Sequence, residues 1–297
     1  MPPILDCKDD AAIGLDDCVE NLDRIGFDAQ DETSIDYAAQ CLRQLGNNPE
    51  FLADILLAEL KGHYGTDHDS AYGPQSIVLS DLRRGFFIRA NIWPSPQDSI
   101  FRASGAHSFA YGAAHDHNFD FLTLGYFGPG YASDYWEYDY SAVAGYAGEA
   151  VDLKSTGRHI LSPGTIRHYR AHRDVHSQLP PESLSVSLNI MAVDPAQAWH
   201  DQYGFDVEQG RISGVLNPTS TELFVRLAAG LGGEDCTDLV EHFGTSHPSD
   251  RIRLASFQAR SLLLPDASER DRLWADAESS GSRLVAAEAA AMRAALA

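Results

Sequence analysis

Between Ser76 and about Leu216 the chain breaks into many short segments of strand character, each closed by Gly, Pro, Ser or Asp. The candidates are Ser76–Leu79, Phe86–Trp93, His117–Tyr126, Tyr131–Tyr138, Glu149–Lys154, His159–Leu161, Thr165–Ala171, Leu184–Met191 and Tyr203–Val207. Many short strands spaced about 8 to 12 residues apart suggest a sandwich or barrel. Leu184-Ser-Val-Ser-Leu-Asn-Ile alternates strictly between apolar and polar residues, the pattern of a half-buried strand.

Helical periodicity brackets this region on both sides. Ser34, Ile35, Tyr37, Ala38, Cys41, Leu42 and Leu45 recur at helical spacing up to Gly46, and Pro49 opens a second helix that ends at Gly62. Tyr64–Pro74, rich in Gly, Asp and Ser, reads as a connecting loop. Beyond Pro218, helices are expected over Thr219–Leu231, Asp235–Phe243, Pro248–Leu264 and Ser282–Ala297. The chain divides into a helical segment (1–70), a β-domain (71–216) and a second helical segment (217–297). The fold class read from this texture is mainly β.

Charge and composition exclude several functions. Asp and Glu outnumber Lys and Arg by 43 to 22, a formal charge of −21. So negative a chain is repelled by nucleic-acid phosphates and anionic lipid, which argues against nucleic-acid or membrane partners. No run approaches the roughly 18 apolar residues of a membrane span. No basic and apolar leader opens the chain, so it reads as cytoplasmic. Cys7, Cys18, Cys41 and Cys236 form no Cys-x-x-Cys pair and read as reduced structural thiols. Phosphate-loop, zincin, nucleophile-elbow and dinucleotide-binding motifs are absent.

The histidines carry the chemistry. Seven of the twelve, from His107 to His176, fall in one stretch of the β-region, more than an even spread would place there. On a strand, residues i and i+2 share a face, so His115 and His117 of Ala114-His-Asp-His-Asn118 offer two cis nitrogen ligands to one metal ion. His168, His172 and His176 share parity, and any one of them on a neighbouring strand completes a three-nitrogen face.

The two clusters resemble the motifs of the cupin superfamily. His115-x-His117 matches the first motif, and Gly157, Pro163 and His168 keep the spacing of the second. Phe121 and Leu122 stand where that motif carries its Glu ligand. His115-Asp116-His117, His172-Arg173 and Val186-Ser187-Leu188 are similar to the three-histidine, cysteine dioxygenase-like cupins, although Asn189 replaces the His that follows Val-Ser-Leu in that group. The resemblance spans about 110 residues of the β-region. It implies a cupin-type double-stranded β-barrel, or jelly roll, flanked by the helical segments. It also implies Fe(II) held by His115, His117 and His172, the last favoured over His168, with Arg89 holding a substrate carboxylate.

The expected reaction is therefore a metal-dependent oxygenation of a small amino-acid-like or peptide-borne substrate. A non-redox isomerase or lyase using Zn, Mn or Ni is the alternative, with Glu137 or His176 as proton carrier. In a third reading the chain is a metal-binding regulatory protein whose helical flanks recruit a partner while the barrel acts as a sensor. In any of these readings the flanking helices are open to capping the barrel, forming a homodimer or gripping a peptide.

Overall fold

The computed structural model describes residues 1–62, 75–83 and 85–296. The loop expected over Tyr64–Pro74 lies outside them. Two compact units emerge: Met1–Tyr138 with Leu153–Pro195, and Asp139–Asp152 with Ala196–Ala297.

The first unit opens with three helices. Helix α1 (Leu15–Ile25), not expected from the sequence, carries Asp16 and Asp17 in its first turn and Arg24 in its last, charges that suit the helix dipole. It stops at Gly26, in the left-handed conformation (φ 67°) that glycine adopts without a Cβ penalty. Asp31 caps α2 (Glu32–Gly46) by accepting from the Thr33 amide. Helix α3 spans Phe51–Gly62.

Strands β1 (Ser76–Val78) and β2 (Phe86–Trp93) follow, then the short helix α4 (Ser99–Ser104). After it come β3 (Ala114–His115), β4 (Phe121–Phe127), β5 (Tyr131–Glu137), β6 (Lys154–Leu161), β7 (Ile166–Tyr169), β8 (Asp174–Gln178) and β9 (Ser185–Ala192). They form two antiparallel sheets, one ordered β1-β2-β9-β4-β7 and the other running β3-β8-β5-β6.

One face of the first sheet packs against the helices. Phe86, Ile88, Ala90, Leu122, Leu124, Ile166, Leu188 and Ile190 share a core with Leu22, Ala38, Leu42 and Leu45. The opposite face is polar and aromatic, and it too is buried. On β9, Ser185, Ser187, Asn189 and Met191 are each 1 or 2% exposed. Trp93 Nε1 donates to Ser187 Oγ at 3.0 Å, and Met191 packs with Phe121, Tyr135 and Tyr169. The half-buried strand expected from alternation is therefore buried on both sides. Its apolar face meets helices, and its polar face lies within the protein rather than in solvent.

The second unit holds the hairpin β10–β11 (Tyr203–Asp206 and Arg211–Val215) and helices α5 (Ser220–Leu231), α6 (Glu234–Ser246), α7 (Asp250–Leu263), α8 (Ala267–Glu278) and α9 (Arg283–Leu296). Among the described residues, more lie in helices than in strands, so the mainly-β expectation does not hold. Helices α1 and α8, which the apolar periodicity did not reveal, help tip the balance. No helix of the described residues is long and apolar enough to cross a membrane.

Candidate metal centre

Strand β3 is two residues long, and its only ladder partner on β8 pairs His115 with His176. That register sets the two side chains next to each other, and His117 follows two residues on. The rings stand 4.6 Å (His115–His176), 4.9 Å (His115–His117) and 5.1 Å (His117–His176) apart between centroids. One ligand nitrogen from each lies within 4.8 Å of the others, and His117 Nε2 faces His176 Nε2 at 3.0 Å.

His176, expected as a proton carrier, thus joins His115 and His117. His172, expected as the third ligand, does not belong to this group. The resemblance carried by His172-Arg173 favours His172; the shared parity of His168, His172 and His176 holds only along an unbroken strand, and a turn interrupts it. His172 sits in that turn with a left-handed backbone (φ 58°), and its amide donates to the His117 carbonyl at 2.8 Å. Parity is lost across such a turn. His168 lies on β7 one residue beyond Arg167, so it faces the helix side with Ile166. Its Nε2 is 3.3 Å from Asp120 Oδ1.

The surroundings hold the imidazoles neutral. Burial pushes His115 below its usual range, although the bond from its Nδ1 to the Ala113 carbonyl (2.9 Å) opposes the shift. Burial, the neighbouring His115 and His176, and the Arg89 charge push His117 well below 6.5. Burial and His115 do the same to His176. Much of this desolvation comes from rings: Phe119 and Phe121 lie 4.8 and 4.9 Å from His117, and Tyr169 lies 4.8 Å from His176. Tyr135 and Tyr169 pair through their hydroxyls at 2.7 Å, and burial raises both above the usual phenol range.

This donor set fits a divalent cation. Neutral imidazoles are the protonation state that ligates metal. The His115 Nδ1–H bond to Ala113 leaves Nε2 with its lone pair, as in established histidine ligands. Two nitrogens facing at 3.0 Å repel unless a proton or a cation lies between them. His117 Nδ1, on the far side of that ring, is buried without a hydrogen-bond partner. Asp116, between the two histidines, points elsewhere: it is fully buried and accepts from the Tyr138 hydroxyl at 2.5 Å. That bond pins the chain between the two histidines.

Two other expected site residues take different positions. Glu137 is bound by Arg170 at 2.9 Å, by Arg173 at 3.1 Å and by the Met1 amino group. Burial works against its ionisation, but these hydrogen bonds prevail and bring it down to about 2. A carboxylate so held neither accepts a proton near neutral pH nor joins the histidines. Arg89 lies on β2 opposite Asn189 of β9, on the strand face away from the helices. Its charge reaches His117.

Sequence reasoning missed the buried polar lining around this centre. Ser133, Arg167, Gln178, Ser187 and Asn189 are each at most 5% exposed. Arg167 lies over the Tyr135 ring, 5.5 Å from its centroid. The alternation in β9 set Ser187 and Asn189 on the polar face, which is buried rather than exposed.

No family model and no curated protein matches this chain. Among solved structures it is similar to a candidate mannose-6-phosphate isomerase from Ralstonia eutropha JMP134, at 17% identity over 43% of this chain and all of that one, with a TM-score of 0.23. It is also similar to a hydroquinone 1,2-dioxygenase in complex with Cd2+ and 4-hydroxybenzonitrile, at 13% identity over 41% of this chain and 66% of that one, with a TM-score of 0.26. Likenesses of this size transfer neither protein's reaction.

Proposed function

We propose that the chain is a cupin-type metalloenzyme, using Fe(II) and dioxygen to oxidise a small anionic substrate of amino-acid or peptide character. The observation that carries the reading is the convergence of His115, His117 and His176. The strand orders support the fold assignment. Strands β2 to β9 divide between two four-stranded sets, 2-9-4-7 and 3-8-5-6, changing sheet at every step but β5 to β6, the interleaving expected of a double-sheet jelly roll.

When bound, the ion supplies Lewis-acid and redox chemistry at positions that the protein leaves open. The chain's own residues do the rest. Three uncharged ligands leave the ion's positive charge uncompensated, which favours an anionic substrate. Arg89 adds a planar donor fork suited to a carboxylate. The Phe119, Phe121, Tyr135 and Tyr169 rings shield His117 and His176 from water, which strengthens the polar interactions there. The tyrosine hydroxyls, held un-ionised by burial, serve as hydrogen-bond donors rather than bases.

The same histidines suit Zn, Mn or Ni in a non-redox isomerase or lyase. That reading lacks its proton carriers, because Glu137 is committed to ion pairs and His176 belongs to the metal group. The deciding experiment loads the full chain anaerobically with Fe(II) and follows oxygen uptake over a panel of amino acids, thiols and short peptides. Oxygen consumption that needs both metal and substrate supports the oxygenase. Substrate turnover without oxygen assigns the non-redox class instead.

A further inference from the structure

The face of the first sheet turned away from the helices carries a row of polar residues. The registers pair Arg89 with Asn189, Asn189 with Thr123, and Thr123 with Arg167, so these residues of β2, β9, β4 and β7 lie side by side across the sheet. Arg89 stands at the end nearer the histidines, where its charge reaches His117. Arg167 stands at the other end, its guanidinium carbon 5.5 Å from the centre of the Tyr135 ring. Asn189, Thr123 and Arg167 are each at most 2% exposed.

An arginine is always protonated, so Arg167 carries a full charge into the interior. Among the described residues it has no carboxylate partner, and only its Nη1 is hydrogen-bonded, to the Pro2 carbonyl at 3.0 Å. Its Nε is buried without a partner, and so is Thr123 Oγ1 beside it on the row. Asp174, whose charge also reaches Tyr135, is taken by Arg170 at 2.6 Å. A buried guanidinium is costly unless an opposite charge and hydrogen bonds compensate it, and one carbonyl and a ring face supply no such charge.

The edge of Arg167 left without a protein partner has a definite shape. Nε and Nη2 lie on one side of the guanidinium and form a two-pronged donor for a carboxylate. Elsewhere in this chain the same edge grips carboxylates: Arg158 holds Asp134 at 2.7 and 2.8 Å, Arg170 holds Asp174 at 2.9 and 2.6 Å, and Arg251 holds Glu222 at 2.9 and 2.7 Å. We propose that Arg167 binds a second anionic group of the substrate, which narrows the substrate class to diacids: dicarboxylates and acidic amino acids. The assignment rests on the reading of Arg89 as the holder of the first carboxylate beside the metal. Three strand spacings of about 4.8 Å set the Cα atoms of Arg89 and Arg167 about 14 Å apart, a span that two long side chains and a short diacid can bridge.

Ligand-observed NMR titration of the Zn(II)-loaded full chain with the dicarboxylates from succinate to pimelate, each against its own half-amide, tests it. The half-amide keeps the shape of the diacid and removes one charge. The preferred diacid should bind at least about tenfold more tightly than its half-amide, the gain from one more charge-assisted pair. Arg167→Met keeps the aliphatic stem and should bring that diacid down to the level of the half-amide. Arg167→Lys keeps the charge without the two-nitrogen edge and should lose at least about threefold of the preference. Circular dichroism identifies the variants that fold. A crystal structure of wild type with the preferred diacid tests the same point without substitution, because one carboxylate should lie on Nε and Nη2 of Arg167. Equal affinity for every diacid and its half-amide, a folded Arg167 variant that keeps the full preference, or both carboxylates bound away from Arg167 would overturn the assignment while leaving Arg89 and the histidines standing. A chain that binds neither diacids nor half-amides overturns the anionic-substrate reading, and the role of Arg167 with it. A chain that takes up no Zn(II) yet keeps an Arg167-dependent preference overturns the histidine reading alone.

Discussion

Paired substitutions at His176 and His172 separate the site built by the fold from the one read off the motif. His176→Ala removes one of three nitrogens lying within 4.8 Å of each other. Loss of a direct ligand should exceed the roughly 10- to 100-fold lost when only an outer partner of a ligand is removed, so affinity should fall by more than about 100-fold, or about 2.7 kcal/mol. His172 touches the site through its backbone amide, which donates to the His117 carbonyl at 2.8 Å. His172→Gly keeps that amide and suits the left-handed φ of 58°. It should leave affinity within about threefold, because no donor to the ion is lost. Competitive titration with Zn(II) against a chromophoric chelator reads both variants on one scale. Equal losses at the two positions would refute the reasoning, and so would a larger loss at His172.

Further outcomes follow from the same geometry. His117 and His176 lie well below their usual value of 6.5, so the unfolded chain binds more protons than the folded one below that pH. Their contribution to stability is therefore complete above about pH 6.5 and is lost as pH falls through the depressed folded values. Urea unfolding of metal-free protein at pH 7.5 and 5.5 should show this loss, and a His117→Gln/His176→Gln double variant should show less of it. An equal drop in the double variant would place the acid sensitivity elsewhere. Arg89→Ala should raise KM for a carboxylate substrate more than it lowers kcat, because the role assigned to it is ground-state holding. Gly125→Ala would put a Cβ 2.3 Å from the Ser162 carbonyl oxygen. It should cost more than about 2 kcal/mol in chemical denaturation, since backbone must move; a cost below 1 kcal/mol would mean that the β4 bulge next to it gives way.

Much of the scaffold was legible. Strand β2 over Phe86–Trp93 matches its apolar run residue for residue, and helices α2, α5 and α7 follow their periodicity to within about two residues at each end. Strand β8 was missed because its burial does not depend on apolar side chains. Asp174, His176, Ser177 and Gln178 are all buried there around a single Val175. Without β8, shared parity left His168, His172 and His176 all open, and the resemblance carried by His172-Arg173 pointed to His172 rather than to His176, which the fold sets beside His115 and His117. Nothing local marks the turn at His172, since a histidine rather than a glycine takes the positive φ.

The second difficulty was orientation. Alternation along β9 separates an apolar face from a polar one, but it does not say which faces water. Here helices cover the apolar face, and the polar face is enclosed with the site. Glu137 was expected as a proton carrier. Its partners Arg170 and Arg173, more than 30 residues away, are brought to it only by the fold.

X-ray absorption at the metal edge, on protein titrated to saturation with Zn(II), tests the central claim most directly. The account predicts one ion per chain, with imidazole nitrogen in its shell and the outer-ring scattering of three histidines. That scattering should fall to two histidines in His176→Ala and stay at three in His172→Gly. A wild-type chain that binds no ion, or one whose spectrum keeps three imidazoles after loss of His176, would contradict it.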